Sequence, residues 1–173
     1  MDVTDRPVAV TERLTLRRLT EADAAFVLEL LNEPAFLRFI GDREVRTLDE
    51  ASAYVREVLA ASYSTFGFGM YRVGLKAADE PLGFCGLVKR EVLRDVDVGF
   101  AFLERFWGQG YAFEAARAVL AHAYDDLGLR RVVGITAPDN HGSMAVLRKL
   151  GMAPSGTVAL PGWPEPRRVF EPE

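Results

Sequence analysis

The period of the hydrophobic positions changes several times along the chain, and each change marks an element. Val8–Thr20 (VAVTERLTLRRLT) alternates around Leu14 and Leu16, which predicts a strand. Thr20 then opens TEADAAFVLELLN. Asp23 stands three residues on, where a capping box usually has Glu or Gln, and Phe26, Val27, Leu30 and Leu31 follow at helical spacing. EPAFLRFIG predicts a short helix with Pro34 in its first turn. Thr47-Leu-Asp-Glu50 is a full capping box, and it precedes a helix with Ala51, Tyr54, Val55, Val58 and Leu59 on one face.

From Gly67 the pattern turns to strands. FGMYRVGLK and PLGFCGLVKR, joined by AADEP, predict a hairpin, and DVDVGFAFL predicts a third strand. A long amphipathic helix follows over roughly Gly108–Leu127, with Ala112, Ala116, Val119, Leu120, Ala123 and Leu127 buried and Gly128 just past its end. RRVVGITA predicts a strand and DNHGSMAVLRKL a helix stopped by Gly151. MAPSGTVAL and RRVFE predict two short strands around the loop PGWPEP. With the short EPAFLRFIG helix left out, the order is β-α-α-β-β-β-α-β-α-β-β; without repeats or linkers, it predicts one mixed α/β domain over residues 1–173, a sheet flanked by helices.

Composition narrows the function classes. The 173 residues, 49% apolar and 27% charged, suit one folded domain. A net charge of −4 with interleaved signs lacks the basic excess of a nucleic-acid binder, and it is too small to select a substrate. Cys85 is the only cysteine, so neither an internal disulfide nor a thiolate zinc site is available; in LGFCGLV it reads as a buried core residue. No apolar run reaches 18 residues and the N-terminus carries no signal pattern, so no membrane partner is expected and the cytoplasm is the expected location.

The chemistry concentrates in ERFWGQGYAFEA (Glu104–Ala115). Gly108 and Gly110 lie between a strand and a helix, where backbone N–H groups and the helix dipole favour an anion. A bare strand-to-helix turn would look the same. A dinucleotide fingerprint needs a small residue three positions after Gly110, and Phe113 stands there; a P-loop needs Gly-Lys-Ser/Thr, and the chain has Gly110-Tyr111-Ala112.

Arg105-x-x-Gly108-x-Gly110 resembles the pyrophosphate-binding motif of the GNAT N-acetyltransferase superfamily. TERLTLRRLTEADA, VGFAFLERFWGQGYAFEA and RRVVGITAPDNHGSMAVLRKLGM resemble, in order, segments of its RimJ/RimL-like branch. The resemblance implies a GNAT fold, with a mostly antiparallel sheet splayed at the acyl-CoA site and helices on both faces. It implies acetyl-CoA as acyl donor, no metal, and an amine acceptor, either a protein N-terminus or a small molecule; it also allows a homodimer.

The same resemblance distributes roles. Phe102 and Leu103 would offer backbone groups of the splayed strand. Arg105, Gly108, Gln109, Gly110, Tyr111 and Ala112 would hold the pyrophosphate, and Asn140 the pantetheine arm. Ser143 would protonate the leaving thiolate, and Asp97, one methylene shorter than the Glu the family often has, would take the amine proton through a water relay. Plain structural readings stand beside these: core residues at Phe102 and Leu103, an N-cap at Asn140, a small first-turn residue at Ser143 and a strand-edge acid at Asp97. Glu114 reads as a helix-dipole partner and Trp107 as packing beside the glycine turn. His122 and His141 lack an acidic partner or metal spacing and read as structural or exposed. The acceptor side is expected around Phe36–Arg46 and Pro161–Pro166. The alternative is a non-catalytic acyl-CoA-binding regulator with the same fold.

Overall fold

The computed structural model describes residues 6–173; the first five residues of the expected 1–173 domain lie outside it. Eight strands form one sheet: β1 (Ala9–Val10), β2 (Leu14–Arg18), β3 (Met70–Leu75), β4 (Pro81–Val88), β5 (Val96–Phe102), β6 (Val132–Thr136), β7 (Met152–Val158) and β8 (Arg167–Pro172). Their order is β1-β2-β3-β4-β5-β6-β8-β7, antiparallel throughout except for β5 with β6. The helices are α1 (Ala24–Leu31), α2 (Pro34–Phe39), α3 (Leu48–Tyr54), α4 (Ala60–Phe66), α5 (Tyr111–Ala121) and α6 (His141–Lys149).

The helices divide between the two faces of the sheet. On one face α1, α2 and α3, with the turn after α3, bury Phe26, Val27, Leu30, Phe36, Ala51 and Val55 with Phe84 and Leu103. On the other, α5 and α6 bury Ala115, Ala116, Val119, Met144 and Leu147 against Leu16, Val73, Cys85, Val98 and Phe170. The strand alternation of β5 therefore feeds both cores, with Val96, Val98 and Phe102 on the α5 side and Ala101 toward the other.

Three expected elements differ. Val8–Thr20 is a hairpin rather than one strand: β1 pairs with β2 through Ala9↔Leu16, and the Thr11 hydroxyl accepts the Leu14 N–H at 3.0 Å. A threonine side chain closes that turn, so neither Gly nor Pro announces it. A π-helical turn at Val55–Leu59 sits between α3 and α4. Its extra residue rotates the buried face, so Ala51, Val55 and Leu59 stay inside while Val58 is half exposed. The long helix begins at Tyr111, after the glycines, and its last turn, His122–Asp126, is also π-helical.

One feature of the sheet creates the site. β5 and β6 pair only from Val96↔Val132 to Val98↔Gly134. Beyond that point β5 runs on to Phe102, while β6 pairs with β8 through Ile135↔Val169 and Thr136↔Arg168. The two strands splay, and α6 closes against β6 beside the gap. Gly134 permits this approach, because a Cβ there would come within 2.5 Å of Leu147 Cδ2.

Candidate functional site

Two cavities meet at the splay. The first, about 420 Å³, is lined by Gly108, Gly110, Tyr111, Ala112 and Phe113, and by Phe102, Trp107 and the start of α6. The second, about 330 Å³, is lined by Asp97, Arg90, Phe36, Phe39, Trp163 and Arg167 among others. Phe100, Ala101, Asn140 and Ser143 line both, as do Phe36, Phe39 and Ile40 of α2 and its end, so the cavities join at these residues.

The first cavity ends at the N-terminus of α5. Gly108 and Gly110 have φ of 75° and 82°. A Cβ on Gly108 would meet nothing within 4 Å, so it is the positive φ, not lack of space, that calls for glycine. The N–H of Glu114 is paired to Gly110 O at 3.1 Å, which leaves the amides of Tyr111, Ala112 and Phe113 as first-turn donors at the cavity wall.

The turn is fixed from outside by Arg13. Its Nη1 donates to Gln109 O at 2.9 Å, its Nε to Glu114 Oε2 at 2.6 Å, and its guanidinium lies 4.5 Å from the centre of the Tyr111 ring. The Thr11 hydroxyl donates to Glu114 Oε1 at 2.7 Å. Burial resists ionisation of Glu114, but the Thr11 and Arg13 hydrogen bonds outweigh it and hold the carboxyl below its ordinary range. Glu114 is thus structural, as expected, with a tether as well as a dipole to serve. Arg13 escaped the sequence reading because it lies 96 residues from the carbonyl it holds.

The structure splits the residues expected to hold the donor. Phe102, Gly108, Gly110, Tyr111, Ala112 and Asn140 line the first cavity. Leu103, Arg105 and Gln109 do not. Arg105 is half exposed, pairs with Glu29 and stacks over Phe106. Gln109 is exposed and gives its carbonyl to Arg13. Leu103 is fully buried and its N–H is bonded to Leu82 O at 2.9 Å. That bond sets the parity of β5: Leu103, Ala101 and Gly99 pair toward β4, whereas Phe102 and Phe100 turn their N–H groups toward the splay. Phe100, absent from the sequence expectation, lines both cavities, and Leu103 lines neither. Trp107 packs beside the turn as expected, half exposed, with Nε1 donating to Phe102 O at 2.9 Å.

At the junction, Asn140 Oδ1 accepts the Ser143 N–H at 3.1 Å and caps α6. The capping role uses only this oxygen, and its amide nitrogen makes no hydrogen bond among the described residues. The Ser143 hydroxyl likewise has no partner there, and both groups face the two cavities.

Asp97 belongs to the second cavity alone. It is 1% exposed and accepts from Arg90 Nε at 2.8 Å. Burial dominates over the pull of Arg90, and its carboxyl is pushed up to about 6. Of the two expected acceptor loops, Arg43 and Trp163 line this cavity alone, whereas Phe36, Phe39 and Ile40 line both. Cys85 is fully buried and its thiol is pushed up by burial, which fits a core residue. His122 departs from expectation: it has an acidic partner, Asp126 Oδ2 at 2.7 Å, with Tyr71 OH at 3.4 Å, yet lines neither cavity. His141 is exposed and lines neither. Among the described residues no helix is long and apolar enough to cross a membrane.

This arrangement has close counterparts among known proteins. Residues 13–153 match the Acetyltransferase (GNAT) domain. The chain is 30% identical over 166 residues to the uncharacterized protein YkkB of Bacillus subtilis, covering 94% of this chain and 93% of that one. It is 30% identical over 160 residues to the FsC-acetyl coenzyme A-N(2)-transacetylase of Aspergillus fumigatus, covering 88% of this chain and 67% of the relative. Its fold superposes, with a TM-score of 0.81, on RimL, the ribosomal L7/L12 alpha-N-protein acetyltransferase, in a structure with coenzyme A; the identity is 21%, over 96% of this chain and 97% of that one. The splayed sheet, the glycine turn and the match over residues 13–153 agree: the chain belongs to the GNAT acetyltransferase family.

Proposed function

We propose that the protein is an N-acetyltransferase that moves an acetyl group from acetyl-CoA to a primary amine. One observation carries this reading: the cavity that ends at the α5 N-terminus and the cavity that holds Asp97 open into each other at Phe100, Asn140 and Ser143. The donor pyrophosphate suits the first-turn amides of α5 and the turn of Gly108 and Gly110. The pantetheine amides suit Phe100, Phe102 and the Asn140 amide nitrogen. The amine would enter from the second cavity.

Transfer is direct in this reading. The amine nitrogen attacks the thioester carbonyl carbon, the C–N bond forms and the C–S bond breaks. Asp97, ionised above about 6, takes the amine proton through water or directly. The Ser143 hydroxyl gives a proton to the departing thiolate and regains one from solvent. Cys85 is too buried to serve as a covalent relay. The whole chain acts as one domain, and the acceptor is a protein N-terminus or a small amine.

The test is initial-rate kinetics with acetyl-CoA and a panel of amines and N-terminal peptides, read by thiol release and by product mass. Intersecting reciprocal plots are expected. Parallel plots would remove the direct mechanism, and coenzyme A binding without turnover of any acceptor would favour the regulatory alternative.

A further inference from the structure

The acceptor cavity has an unbalanced charge. Five charged side chains line it: Arg43, Lys89, Arg90, Asp97 and Arg167. Arg90 and Asp97 neutralise each other at 2.8 Å. Lys89 turns its ammonium to the loop carbonyls of Leu93 and Arg94, at 2.8 and 3.1 Å. Arg43 is exposed at the mouth. Arg167 remains. It is 8% exposed and makes no ion pair among the described residues.

What holds Arg167 is neutral. One amino group donates to Phe39 O at 2.9 Å, and the guanidinium stacks 3.6 Å from the centre of the Trp163 ring. Two carboxylates lie near enough to feel its charge, Asp139 and Glu165, but Asp139 is already paired with Arg38 at 3.0 Å and Glu165 is exposed. A guanidinium has five N–H donors and stays charged at every physiological pH. Holding one buried without a counter-ion is costly, and burial pulls its pKa down. Trp163 and α2 fix its plane, so the fork is oriented before anything binds.

We infer that the acceptor is a small amino acid, and that Arg167 binds its carboxylate while the amine faces the junction at Ser143. This rests on the acetyltransferase reading above and names its substrate class. A planar fork with a fixed orientation matches a carboxylate bidentately. One uncompensated buried cation asks for one anionic charge, and a cavity near 330 Å³ is at the small end of ligand sites. A polycationic amine would be repelled by Arg167 and Arg43 alike. An N-terminal peptide would bring an amide where the guanidinium needs an anion.

The experiment compares matched acceptors: free amino acids, their carboxamides, the corresponding amines without the carboxyl carbon, and short peptides with amidated C-termini. With the intact protein, kcat/KM for the free acids should exceed that for the carboxamides by about 100-fold, the range expected for losing a charged hydrogen-bonded pair. Arg167→Met should bring the ratio within about threefold, mainly by raising acceptor KM, while the acetyl-CoA affinity stays unchanged, as Arg167 does not line the donor cavity. Arg167→Lys, which keeps the charge without the fork, should retain part of the preference. Should Arg167→Met fail to fold, the wild-type ratio and the lysine variant still decide. Amidated peptides or carboxamides acetylated as well as free acids would overturn the inference and leave the acetyltransferase reading standing. If no acceptor is turned over, calorimetry of the same acceptors against the protein–coenzyme A complex separates the two. Carboxylate-dependent binding lost in Arg167→Met would keep the inference and remove the activity; no binding by any acid would overturn both.

Discussion

Asp97→Asn tests whether the buried carboxyl is the group that takes the amine proton. In the folded protein its pKa is pushed from 3.8 to about 6. A shift of roughly two pH units corresponds to about 3 kcal/mol against ionisation, and it leaves about nine-tenths of the group ionised at pH 7. Below about 6 both Asp97 and the amine must lose a proton, so log kcat/KM should rise with a slope approaching 2. Above about 6 only the amine limits the rate and the slope falls to 1. Asp97→Asn should keep a slope of 1 throughout, with kcat/KM at pH 7.5 lower by about 100-fold, the lower range for loss of a general base. The assay is acetylation across pH 5–9, with chemical unfolding at pH 4.5 and 7.5 alongside. The sign of the stability effect is set by the raised pKa: between about 4 and 6 the folded state binds the proton that the unfolded state has lost. The Asp97 contribution to stability therefore falls as pH rises through that window, so Asp97→Asn should gain stability relative to wild type between pH 4.5 and 7.5. A bend near pH 6 that survives the substitution would refute the assignment.

Arg90→Gln removes the cation that holds Asp97 down, so the bend should move above 6, seen in the same pH profile. Ser143→Ala should lower kcat about tenfold with little change in acetyl-CoA affinity, the size expected for a hydroxyl that assists a leaving group by hydrogen bonding; single-turnover kinetics checks it. Gly110→Ala should cost about 1–2 kcal/mol from its left-handed φ and weaken coenzyme A binding, read by thermal unfolding and calorimetry. Arg13→Ala should raise the KM for acetyl-CoA about fivefold at constant kcat, because partly exposed tethers contribute about 1 kcal/mol.

Local signals were legible wherever the chemistry is local. The Thr47–Glu50 capping box is present in both directions, with the Thr47 hydroxyl accepting from Glu50 N and Glu50 accepting from Thr47 N. The glycine turn, the α6 cap and the burial of Cys85 follow from residues within a few positions of each other. The hairpin at Thr11 and the π-helical turn at Val55–Leu59 were hidden because a hydroxyl and an inserted residue leave no breaker in the sequence. Residue spacing also cannot give strand parity. A motif can point to the end of β5, but whether Leu103 or Phe100 turns its N–H to the splay depends on which carbonyl of β4 it meets, and Leu82 O takes Leu103.

Charge shows the same division more sharply. The chain total of −4 offers no preference for an acceptor. The cavity around Arg167 nevertheless carries a local positive excess, because charges act by position and burial rather than by sum. Arg90 and Lys89 are consumed by Asp97 and by loop carbonyls, and Asp139 by Arg38, so one residue of β8 is left with a buried positive charge. No pattern around Arg167 in PEPRRVFE separates it from Arg168, its exposed neighbour. The strand alternation does: at the first residue of β8 the side chain turns inward beneath Trp163 and reaches Phe39 O, 128 residues away. The glycine turn is thus written in a contiguous motif, whereas the cavity around Asp97 and Arg167 draws on α2, β4, β5 and the loop before β8.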